Sequence, residues 1–179
     1  MKDLLEILGA MAGKRREVPN PTELFLDIVD RVVKAACGEF GAKNDEVAIL
    51  LLTTDGKHLS FAAPRKLVGL GTIPITKRDS IAVNVFNKGV GEATNNVPMV
   101  KHVTFFESVR LRDRPAPIQK MVTVPIVHDG KTIGVGQVSR KGETALDAGP
   151  DFSTADVRKV QTFFQAVGPF IAEARPDKF

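Results

Sequence analysis

The sequence predicts an α+β fold, an antiparallel sheet with helices packed on it. Residues 119–140, QKMVTVPIVHDGKTIGVGQVSR, read as two apolar strands joined by a tight turn. A second pair of apolar runs, 46–53 and 58–63, is joined through Thr54-Asp55-Gly56-Lys57. Amphipathic helical patterns flank these strands, one starting at Asn20 and the other at Ser153. The full order is helix, two strands, helix, strand, a long irregular stretch, two strands, helix.

The strand pair at 119–140 organises the rest. Met121 to Val127 and Thr132 to Ser139 are rich in Val and Ile, which fit a pleated, half-buried surface. Asp129-Gly130 supplies the two left-handed residues of a type I′ turn, so the strands pair antiparallel. Val122, Val124 and Ile126 share one face, and Met121, Thr123 and Val127 share the other. Gly134 and Gly136 lie on one face of the second strand, where they admit a close approach by a packed helix or by a ligand.

The remaining elements follow from local signals. Leu4, Leu5, Leu8 and Met11 have helical spacing over residues 2–12, but a lone helix this short is marginal in water. It lies against the domain, against a partner chain, or frays, and Gly13 to Val18 read as a linker. Asn20-Pro21-Thr22-Glu23 starts a helix: Asn20 caps, Pro21 takes the first turn, and Glu23 stands at the capping-box position. Phe25, Ile28, Val29, Val32, Val33, Ala36 and Phe40 form its apolar stripe, and Gly41 stops it. Cys37 lies beside this stripe and reads as a small buried hydrophobe.

Pro64 to Pro74 form a connection. Thr76 or Asp79 then caps a short helix over Ser80–Lys88, with Ile81, Ala82, Val85 and Phe86 facing inward and Gly89 ending it. Residues 91–95 are a short strand or an extended segment. Residues 96–118 are the least regular part, and a loop of this length inside a compact domain reads as a binding lid. At the far end, Ser153 caps the last helix, Asp156 completes the box, and Phe152 staples to Val157. Gly168-Pro169 is expected to kink or fray that helix, because Pro169 removes a donor and crowds the carbonyl of Gln165. Residues 175–179 read as a tail.

Composition narrows the function. The chain has 179 residues, 43% hydrophobic, enough for one domain with a real core. Trp and Tyr are absent, so eleven Phe carry the aromatic packing. A net charge of +4 without long like-charge blocks gives no case for nucleic acid. One Cys excludes an intrachain disulfide framework and a multi-cysteine zinc site, and suits a reducing cytosol. No apolar run approaches the ~20 residues of a membrane span. Asp3 and Glu6 inside the N-terminal apolar stretch argue against a secretory signal. Nothing resembles a Ser-His-Asp set, a phosphate loop or a helical pair of metal ligands.

The order of elements, with VTVPIVHDGKTIGVGQVSRK followed by a loop and FSTADVRKVQTFFQAVGPFIA, resembles a GAF domain. The resemblance runs from about Thr22 to Ala174. It rests on Val124-Pro125-Ile126, the Asp129-Gly130 turn, Ile133-Gly134-Val135 and Phe152-Ser153. Pro125 is otherwise awkward in a strand, and the family tolerates Pro there. The organisation is then an N-terminal helix and linker at 1–19, a GAF-like domain at 20–174 and a tail at 175–179. The resemblance implies a profilin-like, five- or six-stranded antiparallel sheet with helices on both sides. It also implies a small-molecule pocket between sheet and lid, and homodimerisation through the terminal helices.

Individual subtypes can be compared residue by residue. Cyclic-nucleotide-binding members carry Asn-Lys and a distant Phe-x-x-x-Asp-Glu. This chain has Asn87-Lys88 and Phe152 with Asp156, but Val157 stands where Glu is wanted. The pattern implies a structural Lys88–Asp156 ion pair, and the alternative is chance. Bilin-binding members attach their chromophore through a Cys near the lid, whereas Cys37 is on the first long helix. The GAF-like free methionine sulfoxide reductases use several cysteines, and one cannot form and resolve an intramolecular disulfide. A haem member needs an axial His. His102 is the one candidate in the lid, and His128 is at a turn. No cofactor is expected.

The candidate ligand pocket comprises Asn84, His102, Phe105, Arg110, Arg112, Thr123, Gly134, Gly136 and Gln137. Lys101, Arg110, Arg112 and Arg114 make the lid basic, and guanidinium groups recognise carboxylate and phosphate through forked donors. Turned inward, they select an anionic ligand; left in solvent, with Asp113 and Glu107 as partners, they select nothing. The leading expectation is a cytoplasmic, stand-alone sensory or regulatory domain that binds an unidentified small molecule and acts through a homodimer on a separate output protein. It excludes catalysis, nucleic acid and membrane. The alternative is a structural interaction module whose pocket its own Phe side chains fill. A small enzyme on this scaffold comes last, and would show as a thiol-dependent reduction abolished by Cys37→Ser.

Overall fold

The computed structural model describes residues 1–100 and 116–179. The helices are α1 (Lys2–Ala12), α2 (Pro21–Phe40), α3 (Ile81–Lys88) and α4 (Thr154–Ala174). The strands are β1 (Val47–Leu52), β2 (His58–Ala63), β3 (Thr72–Pro74), β4 (Glu92–Thr94), β5 (Ile118–His128) and β6 (Lys131–Lys141). They form one antiparallel sheet in the order β3-β2-β1-β6-β5-β4. The two hairpins read from the sequence are therefore joined side by side through β1 and β6.

Turn and cap chemistry set the element ends. Asp129 and Gly130 have φ of 48° and 71°, the left-handed pair that closes β5 onto β6. The Asn20 side chain accepts from the Glu23 N–H at 3.1 Å, and Gly41 ends α2 with φ 64°. Ser153 and Asp156 form a full capping box at the start of α4.

The sheet has two unlike faces. On one lie α1, α2 and α4, over Val47, Ile49, Leu51, Val122, Val124, Ile126 and Val138. On the other, α3 closes a smaller cluster of Leu50, Leu59, Phe61, Ile73, Ala82, Val83, Val85 and Val135. The alternation predicted for residues 121–126 is what sends Val122, Val124 and Ile126 to one side and Met121 and Thr123 to the other.

Pro125 pairs in register with Val135. Its carbonyl accepts from Gln161 Nε2 at 3.4 Å, so its main chain points away from β6. β4 covers only Met121–Thr123 on that edge, which leaves the missing N–H without a ladder partner to disappoint.

Several expectations are corrected. Ser80 itself caps α3, its hydroxyl accepting from the Val83 N–H at 3.4 Å, in place of Thr76 or Asp79. The connection 64–74 contains a helical turn at Arg65–Leu67 and the edge strand β3, which is too short to leave a period in the sequence. α4 does not fray at Gly168-Pro169 but continues to Ala174. Pro169 is on the exposed side, where water can bond the Gln165 carbonyl. Residues 175–179 are docked: Phe179 packs edge-on against Phe25, with ring centroids 5.5 Å apart. Of the fates open to α1, packing on its own domain is realised, with Leu8 and Ala12 buried.

Candidate functional site

The second face of the hairpin brings two of the expected pocket residues into contact. Thr123 on β5 and Gln137 on β6 are directly opposite in the register. Gln137 Nε2 donates to Thr123 Oγ1 at 3.1 Å, and both side chains are buried. α3 packs over β5 and β6 on this side and carries the half-buried Asn84. Ser139 lies two residues along the same face, and its hydroxyl donates to the Glu46 carbonyl at 3.0 Å. A polar strip thus runs beside the apolar cluster that α3 closes.

Gly134 and Gly136 are not part of it. A Cβ on Gly136 would stand 2.5 Å from the Phe164 ring of α4, and one on Gly134 would stand 2.2 Å from the Leu50 carbonyl oxygen. Both glycines serve close packing, and Gly136 serves it on the face opposite Thr123. The packed-helix reading holds for Gly136, whereas Gly134 is closed by the neighbouring strand β1. His102, Phe105, Arg110 and Arg112 lie outside the described residues, as do Lys101 and Arg114.

Lys88 and Asp156 are not brought together. Lys88 is exposed at the end of α3, and Asp156 opens α4 on the other face of the sheet. The Asp156 carboxylate accepts from the Ser153 N–H at 2.8 Å and the Ser153 hydroxyl at 2.7 Å. Those bonds, the backbone one first, hold its pKa below the ordinary carboxylate value. The cap alone accounts for the Asp.

The stretch between β6 and α4 is anchored by residues that the sequence reading did not single out. Gln119 Nε2 donates to the Gly142 carbonyl at 2.9 Å. Lys120, almost wholly buried, donates to the Gly149 carbonyl at 2.6 Å and pairs with Asp151 at 2.7 Å. Asn95, just after β4, exchanges two bonds with the Phe152 main chain, at 2.8 and 3.0 Å. A lysine inside an apolar strand was a visible signal, because such a charge must find partners.

The chemistry of Cys37 is unfavourable for nucleophilic work. Burial, then the Glu46 and Asp45 carboxylates, push its thiol pKa up. Its Sγ lies 3.5 Å from Asn44 Oδ1. Among the described residues no group of three or more His, Cys, Asp and Glu is placed to hold a metal ion. No helix among them is long and apolar enough to cross a membrane.

Comparison with known proteins agrees with this architecture. The GAF domain family model matches residues 25–171. No curated protein matches the sequence significantly. Among solved structures, the GAF domain of a phosphoenolpyruvate-protein phosphotransferase from Coxiella burnetii is 16% identical, with a TM-score of 0.64 over 96% of this chain and 94% of that one. A methyl-accepting chemotaxis protein fragment, residues 122 to 287, is 16% identical, with a TM-score of 0.62 over 92% and 96%. Free methionine-R-sulfoxide reductase from Neisseria meningitidis, solved with its substrate, is 14% identical, with a TM-score of 0.57 over 96% and 90%. At these identities the structures speak to fold alone. The family model spans the sheet from within α2 to within α4, and the chain belongs to the GAF domain family.

Proposed function

We propose that this GAF domain is a sensory or regulatory module that binds a small molecule on the α3 face of its sheet. It acts in signal transduction as a homodimer in the cytoplasm, and has no catalytic step of its own. The observation that carries the reading is the buried polar strip of Thr123, Gln137 and Ser139, beside the apolar cluster that α3 closes. Ligand sites of this kind combine an apolar wall with a few placed polar groups. The cations at 101, 110, 112 and 114, known from the sequence, favour a carboxylate or phosphate on the ligand. The lone cysteine suits a reducing compartment. A place in signalling through a separate output protein is part of the same proposal.

A second reading has its own support. Thr123 and Gln137 bond each other while buried, so the interior is self-satisfied at that point, as a structural interaction module requires. Native mass spectrometry of protein purified from cell extract separates the two. The sensor is expected to carry a mass excess that disappears on denaturation and is absent from the Thr123→Val/Gln137→Met variant. A dimer at bare protein mass, unmoved by nucleotides and organic anions, would establish the interaction module instead. A bare monomer would sink both dimeric readings.

A further inference from the structure

The C-terminal residues 175–179 are held by contacts of several kinds. The Thr54 N–H donates to the Phe179 carbonyl at 2.9 Å, and the Phe179 N–H donates to Thr54 Oγ1 at 2.9 Å. The Phe179 ring packs edge-on against Phe25, which is fully buried at the start of α2. The Arg175 guanidinium lies 5.3 Å over the Phe179 ring and donates to the Leu52 carbonyl. Asp177 pairs with Arg15, three residues past the end of α1. Main-chain bonds to one turn residue, combined with an aromatic socket, are the elements by which proteins hold short extended peptides.

The last of these contacts is made to the turn that follows α1. That helix has eleven residues, too few to persist in water without packing. Leu4, Leu5, Leu8, Met11 and Ala12 belong to the core it shares with α2 and α4. Gly9 lets the Phe170 ring approach, since a Cβ there would be 3.2 Å from it. Both α1 and the tail lie outside residues 25–171, the stretch that the family model matches.

We propose that Phe25, Thr54 and Arg15 form a docking site for a short extended segment carrying an aromatic residue. In this molecule the site is filled in cis by residues 175–179, and its occupancy controls whether α1 stays closed on α2 and α4. Displacing Phe179 removes the aromatic contact and loosens Asp177 from Arg15. α1 is then left on its own packing and opens, while the sheet is untouched.

Hydrogen exchange read by mass spectrometry on the full chain tests this. Phe179→Ala is expected to raise exchange in residues 2–12 by about tenfold or more, with β5 and β6 as protected as before. Phe179→Trp keeps an aromatic and is expected to exchange like the parent. Millimolar peptide Ala-Arg-Pro-Asp-Lys-Phe, matching residues 174–179, is expected to restore protection of α1 in Phe179→Ala, and a scrambled peptide is not. The proposal is overturned if α1 exchange is unchanged in Phe179→Ala, or if β5 and β6 lose protection with it. It also fails if the matching peptide does no better than the scrambled one. None of these readouts depends on a small-molecule ligand.

Discussion

The two faces of the β5–β6 hairpin are made from the same strands and do opposite things. On the α2/α4 face, Val122, Val124, Ile126 and Val138 meet helices so close that Gly136 has room for nothing but the Phe164 ring. Gly168 repeats the device from the helix side, where a Cβ would stand 2.9 Å from the Val127 carbonyl oxygen. On the α3 face a helix of eight residues covers only part of the sheet, and Thr123, Gln137 and Ser139 bring polar groups inside. A face that only has to hold the fold together can be wholly apolar. Buried polar groups stabilise little and demand partners, so the α3 face is where a function beyond stability is to be sought.

The contrast can be broken by substitution. The largest effect is expected from Phe164→Ala, which empties the tightest part of the α4 contact and should cost about 3–5 kcal/mol in urea unfolding. Gly136→Ala inserts a methyl group into the same contact and should cost about 1–3 kcal/mol. The two sites touch, so pairing Gly136→Ala with Phe164→Leu should cost less than the sum of the single changes. Additive costs would show that Gly136 does not make room for the ring.

The α3 face predicts a different arithmetic. Thr123→Val leaves the Gln137 amide buried without its acceptor and should cost about 1–3 kcal/mol in ligand-free protein. Adding Gln137→Met removes the stranded group, and the double variant should return to within about 1 kcal/mol of the parent. A double variant as unstable as the single would mean that the pair is kept for stability, and the contrast between the faces would fail.

The smallest effect concerns pH. The Asp156 pKa is depressed in the folded protein, so its contribution is fully present above the unfolded value of about 3.9 and is lost as pH falls through the lower, folded value. Asp156→Asn should therefore narrow the difference between urea midpoints at pH 7 and in strong acid. Lys88→Ala should leave that difference alone, since Asp156 is held by Ser153.

Much of the α2/α4 face was legible in advance. The apolar stripes of α2 and α4, the Asn20 and Ser153 caps and the Asp129-Gly130 turn are local signals, and each appears where its chemistry requires. The candidate site was legible in part. Thr123 and Gln137 stood out as polar residues in apolar strands, and their opposition on one face follows from strand periodicity and the turn. Gly134 and Gly136 were ambiguous because an absent side chain does not say what fills its place. Lys88 and Asp156 matched a spacing, but spacing carries no information about which face of the sheet an element lies on.

By itself the sequence determined the long elements, the Asn20 and Ser153 caps, the hairpins and which residues of β5 share a side. Those features depend on bonds and periodicities within a few residues. Only the tertiary structure decided that β1 lies beside β6, that Phe164 fills the space over Gly136, and that Lys120 reaches Gly149 and Asp151. It also decided that Phe179 closes on Phe25 and Thr54. These contacts join residues far apart in the chain, and the choice among them is made when whole apolar faces compete for burial.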